Sequence, residues 1–348
     1  MKKLCSLFST SFFTGSSNRT RQPVMTADTT DPSYWLNWRF LVCAIWILST
    51  MVVASILIWK YEGFKKSRKG RRTEDQRETV GSLYEGEVWK TCLKGIHPAW
   101  LLAYRIIAFV VMLGLIVANV ALDGAGIFYF YTQWTFVLVT FYFGYGSLVS
   151  LRGIYKHRNR IGEDEERGAY VAPTLGENGN TSNGSKSLTH EEYHGRKGAG
   201  AREYIFQIIY QMCGGAVAIT DCIFWLVLYP FLTSKDYKLN FMMVIMHSIN
   251  APFLLGEAFL NNMRFPLFRI AYFVLWTGVF VIFQWIFHAC KSMWWPYPFL
   301  DLSSSYAPLW YLGVGLMHLP CYGVFALIIR IKNLLLSRAF PESCQNER

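Results

Sequence analysis

Residues 100–122 read WLLAYRIIAFVVMLGLIVANVAL, an apolar run in which Arg105 is the lone charged side chain. At a helical rise of 1.5 Å per residue such a run extends about 34 Å, enough to cross the hydrocarbon layer of a bilayer. Backbone N–H and C=O groups have no partners in lipid, so a crossing segment must satisfy them internally as a helix or inside a closed barrel. The run does not alternate apolar and polar residues, which excludes a barrel strand.

Outward from this stretch the same pattern recurs at residues 38–59, 127–151, 204–232, 239–260, 270–288 and 307–331. Tryptophan and tyrosine cluster at the ends of these runs, for example Trp35, Trp38, Trp294, Trp295, Tyr297, Trp310 and Tyr311, as expected of an interfacial belt. The chain is 53% hydrophobic and 16% charged, against about a quarter charged in an ordinary soluble domain. The expectation is an all-α polytopic membrane helix bundle of about seven transmembrane helices.

Composition divides the chain further. A Ser/Thr-rich tail (1–37) reads as disordered and is followed by a first helix (38–60) and a basic loop (61–99). A six-helix membrane core (100–331) follows, interrupted at about 156–202 by a Gly/Ser/Asn-rich insert that cannot bury a core of its own, and residues 332–348 form a tail. The net charge of +11 is concentrated in the loops after the first, third, fifth and seventh spans. That pattern sets orientation and meets anionic lipid headgroups, so no nucleic-acid partner is expected. It predicts an extracytosolic N-terminus and a cytosolic C-terminus, in either the endoplasmic reticulum or the plasma membrane. Asn180 and Asn183 match the glycosylation pattern on the cytosolic side, Asn18 on the other. The eight cysteines form no CxxC pair, so no disulfide framework, metal site or cofactor is expected.

Ionisable groups at membrane depth are costly and therefore candidates for function. Thr135 and His247 each lie eight residues inside the outer ends of their expected spans, roughly 12 Å deep by the helical rise. A hydroxyl and an imidazole at one level form a nucleophile and base pair in outline. Asp221 and His318 reach similar depths, and Asp221 is placed to orient the histidine. Gln133, Asn250 and Tyr131 are candidate oxyanion donors. Against this, threonines back-bond to their own helix and membrane histidines often serve as structural donors. Arg105, Glu257 and Arg269 lie toward the cytosolic ends, where snorkelling or interhelical pairing suffices. His288 lies near the outer interface, where solvation is expected. Gly144, Gly146, Gly214 and Gly215 suit close helix packing.

Residues 246–257, MHSINAPFLLGE, resemble the histidine segment of the androgen-induced protein family, multi-pass membrane threonine hydrolases that act on fatty acid esters of hydroxy fatty acids. Residues 293–301, MWWPYPFLD, resemble that family's outer-loop motif, and Trp134-Thr135-Phe136 resembles the segment carrying its nucleophile. The architecture is also similar to that of the rolling-stone-like membrane proteins. The resemblance covers roughly residues 100–331; the additional first span, the long insert and Ser248 after the histidine depart from it. It implies a lipid-ester hydrolase with Thr135 as nucleophile and His247 as base, and membrane lipids and a lipid ester as partners. Two other classes remain open on the residues alone. One is a non-enzymatic scaffold or transport-associated protein; the other is a haem-binding oxidoreductase with His247 and His318 as axial ligands.

Overall fold

The computed structural model describes residues 27–63, 86–169, 198–232 and 240–343. The tail before residue 27, most of the basic loop, the glycosylation patterns at Asn18, Asn180 and Asn183, Lys235 and Lys238, and the last five residues lie outside the described residues.

A short helix α1 (Pro32–Trp35) leads into α2 (Trp38–Ile58), capped by the Asn37 side chain and extended by a π-helical turn, Trp59–Gly63. Then follow α3 (Pro98–Asp123), α4 (Tyr131–Ala169) and α5 (Ala201–Ile223), the last continuing as a π-helix over Phe224–Leu232. The fifth apolar run is two helices, α6 (Phe241–Met246) and α7 (Asn250–Leu260); α8 (Ile270–Cys290) and α9 (Ala307–Ala339) complete the bundle. No strand forms among the described residues, and seven helical segments are long and apolar enough to cross a membrane. The protein is an all-α, multi-pass integral membrane protein.

The fifth run was expected as one continuous helix. It breaks at His247–Ile249 because Pro252 has no N–H for the Ser248 carbonyl and its ring crowds that carbonyl. Close helix packing at the glycines holds: a Cβ on Gly215 would sit 2.5 Å from Phe273 of α8, and one on Gly214 would sit 2.7 Å from Phe325 of α9.

At one end of the bundle two buried cations organise the helices. Arg105 of α3 pairs with Glu257 of α7 at 2.5 Å, both side chains fully buried. The same guanidinium donates to Ser150 Oγ of α4 and to the Val88 carbonyl, while Tyr142 and Asn261 donate to the Glu257 carboxylate. Arg269, ahead of α8, donates to Glu62 at 2.7 Å and to Gln207 and Gln211 of α5, and Tyr272 also donates to Glu62. Interhelical pairing is thus what these residues do.

The segments expected as loops and tails are shorter than composition implied. Val88 and Cys92 are buried, and Thr91 bridges to Asn261. Helix α9 runs on past residue 331, and buried Lys332 donates to the Asn261 carbonyl at 2.8 Å. Helix α4 likewise runs past residue 156, into the expected insert.

At the opposite end, residues 27–37 are docked, contrary to the expected disordered tail through residue 37. Tyr34 is the reason: its hydroxyl donates to Asp301 Oδ1 at 2.8 Å and accepts from Trp295 Nε1 and the Leu302 N–H, both at 3.0 Å. Burial, reinforced by the Asp301 carboxylate, pushes this phenol above its ordinary value and keeps it a donor. Thr29 donates to the His288 carbonyl at 2.9 Å. His288, expected in solvent, is fully buried: Nε2 lies 2.7 Å from the Tyr129 hydroxyl and the ring stacks 3.6 Å from Trp295. An aromatic loop that folds back over the helix ends removes it from water.

Removing one partner of a buried pair strands the other charge, at a cost of about 3–5 kcal/mol. Glu257→Ala and Arg105→Ala should each lower the unfolding temperature of the detergent-solubilised protein, and the double variant should lose less than the sum of the two. Tyr34→Phe leaves Trp295 Nε1 and the Leu302 N–H without their oxygen, for a loss of about 1–3 kcal/mol. Hydrogen exchange should then quicken at the Leu302 amide while the amides of α4 stay protected.

Candidate functional site

Under the aromatic loop lies a cavity of about 60 Å³ between α4, α5, α8 and α9. Tyr131 and Thr132 reach it from the first turn of α4, Thr220 and Phe224 from α5 and its π-helical continuation, and Thr277 and Phe280 from α8. Tyr297, Phe299 and Leu300 close it from above, which makes residues 293–302 its roof. His247 reaches it from the break between α6 and α7. The volume suffices for a few water molecules or a small reacting group.

Two local distortions bring His247 to this wall. The Pro252 break leaves the imidazole at the end of α6, and the π-helical segment after Ile223 turns Phe224 toward it. The two rings stack at 3.6 Å and 6°, and Trp225 Nε1 donates to the His247 carbonyl at 3.1 Å. With the ring clamped, His247 Nδ1 is buried and has no hydrogen-bond partner. π-Helical segments and broken helices in membranes recur where side chains are presented to a cavity.

Thr135 is fully buried in α4 but is not part of the cavity wall; its Oγ1 lies 3.2 Å from Thr220 Oγ1. Thr220 in turn donates to its own helix at the Ala216 carbonyl, 2.6 Å away. No hydrogen bond joins Thr135 to His247 in this arrangement; the Thr135 hydroxyl meets Thr220, a residue of the cavity wall. The supporting residues divide. Asp221 Oδ1 is buried without a partner, and so are Asn250 Oδ1 and Gln133 Oε1. Asn250 Nδ2 makes one long bond, 3.4 Å, to the Met246 carbonyl. The geometry brings none of the three into hydrogen-bond contact with His247.

His318 is the supporting residue with a well-defined role in the hydrogen bonding. Its Nδ1 lies 3.0 Å from the Val314 carbonyl and its Nε2 lies 3.0 Å from Thr277 Oγ1. Thr277 also meets the Tyr131 hydroxyl at 2.9 Å. Thr277 was not singled out from sequence, where it is one hydroxyl in an aromatic run; comparing its depth with that of His318 would have pointed to it. It lies thirteen residues before the end of α8 and His318 lies eleven after the start of α9, both counted from the roofed end. Comparison of the chain with protein-family models, curated proteins and solved structures finds no match.

Proposed function

We propose that this membrane protein hydrolyses lipid esters from within the bilayer. The scissile carbonyl would sit in the roofed cavity, with a threonine hydroxyl as nucleophile and a histidine as base. One observation carries the reading: a cavity inside the helix bundle whose wall holds an imidazole with an unpartnered Nδ1 among threonine and tyrosine side chains. The surface that faces the cavity is otherwise almost wholly apolar, which suits an acyl chain.

The resemblance of residues 246–257 and 293–301 to the androgen-induced family supports the same reaction and nominates Thr135 with His247. In the observed arrangement Thr135 lies outside the cavity wall and has no hydrogen bond to His247, so the nominated pair acts only if the two side chains are brought together. The basic loops place the Arg105 and Arg269 clusters toward the cytosol and the roof on the outer side. Water would then reach the acyl-enzyme from beneath the roof. The haem reading is disfavoured by His318, whose two ring nitrogens are both engaged by hydrogen bonds.

The test is covalent labelling of the detergent-purified protein by a lipophilic alkyl fluorophosphonate, with Thr135→Ala and His247→Ala variants of matched unfolding temperature. Wild type is expected to take the label on a threonine at or beside the cavity wall. A label on Thr135 that disappears in both variants would assign the nominated pair. A well-folded wild type that takes no label overturns the hydrolase reading.

A further inference from the structure

A second threonine and histidine are already in contact: Thr277 belongs to the cavity wall, and His318, outside that wall, bonds its hydroxyl. The Val314 carbonyl can only accept, so His318 Nδ1 carries the hydrogen and, in the neutral ring, Nε2 is left as an acceptor aimed at Thr277 Oγ1, 3.0 Å away. The Tyr131 hydroxyl meets Oγ1 at 2.9 Å, and either of the two can donate; with Tyr131 as the donor, the threonine's own hydrogen is left for the imidazole. Hydroxyl, imidazole and an orienting acceptor in this order are the arrangement from which serine and threonine nucleophiles are activated.

The ordinary explanation of a membrane threonine is back-bonding to the carbonyl four residues earlier. Elsewhere in this protein that bond is short: 2.6 Å for Thr220 to Ala216 and 2.8 Å for Thr140 to Phe136. For Thr277 the bond to the Phe273 carbonyl is 3.3 Å, longer than either of its contacts to Tyr131 and His318. The hydroxyl has moved off its own helix toward the imidazole. Unlike Thr135, Thr277 is part of the cavity wall.

Building on the hydrolase reading, we infer that Thr277 is the residue that accepts the acyl group, with His318 as its base. Thr277 Oγ1 forms a bond to the ester carbonyl carbon while its proton passes to His318 Nε2. The tetrahedral intermediate collapses with cleavage of the ester C–O bond, and Nε2 returns the proton to the departing alkoxide, which leaves as the alcohol. Water entering the cavity then attacks the acyl-threonine, giving its proton to Nε2. Cleavage of the Thr277 ester releases the carboxylic acid and restores the hydroxyl.

The experiment uses the alkyl fluorophosphonate on full-length wild type, Thr277→Val, Thr277→Ser, His318→Gln and Thr135→Ala, with the adduct mapped by peptide mass spectrometry. Valine matches threonine in shape and lacks the hydroxyl, whereas serine keeps the nucleophile and guards against misreading a folding defect. The inference expects an adduct on Thr277, abolished in Thr277→Val, kept in Thr277→Ser and Thr135→Ala, and formed about 10²-fold more slowly in His318→Gln. A wild-type adduct on another residue, with labelling unchanged in Thr277→Val, overturns this assignment and leaves the hydrolase standing. A folded wild type that takes no label overturns both.

Discussion

The Arg105–Glu257 pair is the constraint around which the rest of the bundle is arranged. A guanidinium in a lipid-embedded helix is tolerated only with its donors satisfied, and here the partners come from α4, α7 and the segment ahead of α3. Satisfying it fixes the distance between those elements at one end. The Arg269–Glu62 cluster ties the end of α2 to the starts of α5 and α8 at the same end. Packing between the helices supplies little net drive in lipid, since the tails are as apolar as the side chains, so these polar contacts specify which helices neighbour which.

With one end so tied, the other is free to open into a cavity. The π-helical segment after Ile223 and the break ahead of Pro252 interrupt two adjacent helices at one level, which turns Phe224 and His247 toward each other. Regular helices would have buried apolar side chains there and left no space. The aromatic loop at 293–302 then roofs the gap, with Tyr34 fastening it from the N-terminal side and Thr29 tying the same segment to the end of α8.

The architecture was legible because lipid imposes a length and a composition on each span, and both are local properties of the chain. Arg105 and Glu257 announced themselves as charges in apolar runs, and the sequence left snorkelling and interhelical pairing both open; the structure shows the pairing. What local reading missed was tertiary. Nothing in the residues before position 37 signals that Tyr34 will find Asp301, and His288 looked solvent-facing because the loop that covers it lies later in the chain. Thr135 and His247 were matched by depth alone, and depth says nothing of rotation about the helix axis. The hydroxyl of Thr135 turned out to face Thr220, while Thr277, bonded to His318 on the next helix, escaped notice among aromatic neighbours. Depth narrows the partners; only packing decides which of them meet.

The clasp between Tyr34 and Asp301 spans 267 positions of the chain. Chains emerge from the ribosome N-terminus first, at about 5–20 residues per second, so the first half of that clasp exists well before the second. Trp295 and the Leu302 amide, its other partners, are made equally late. The roofed chamber therefore cannot close until residues 293–302 have been made. A chain stalled before that point would leave the Tyr34 hydroxyl without its partners, which gives membrane quality control a physical signal by which to distinguish unfinished copies from finished ones.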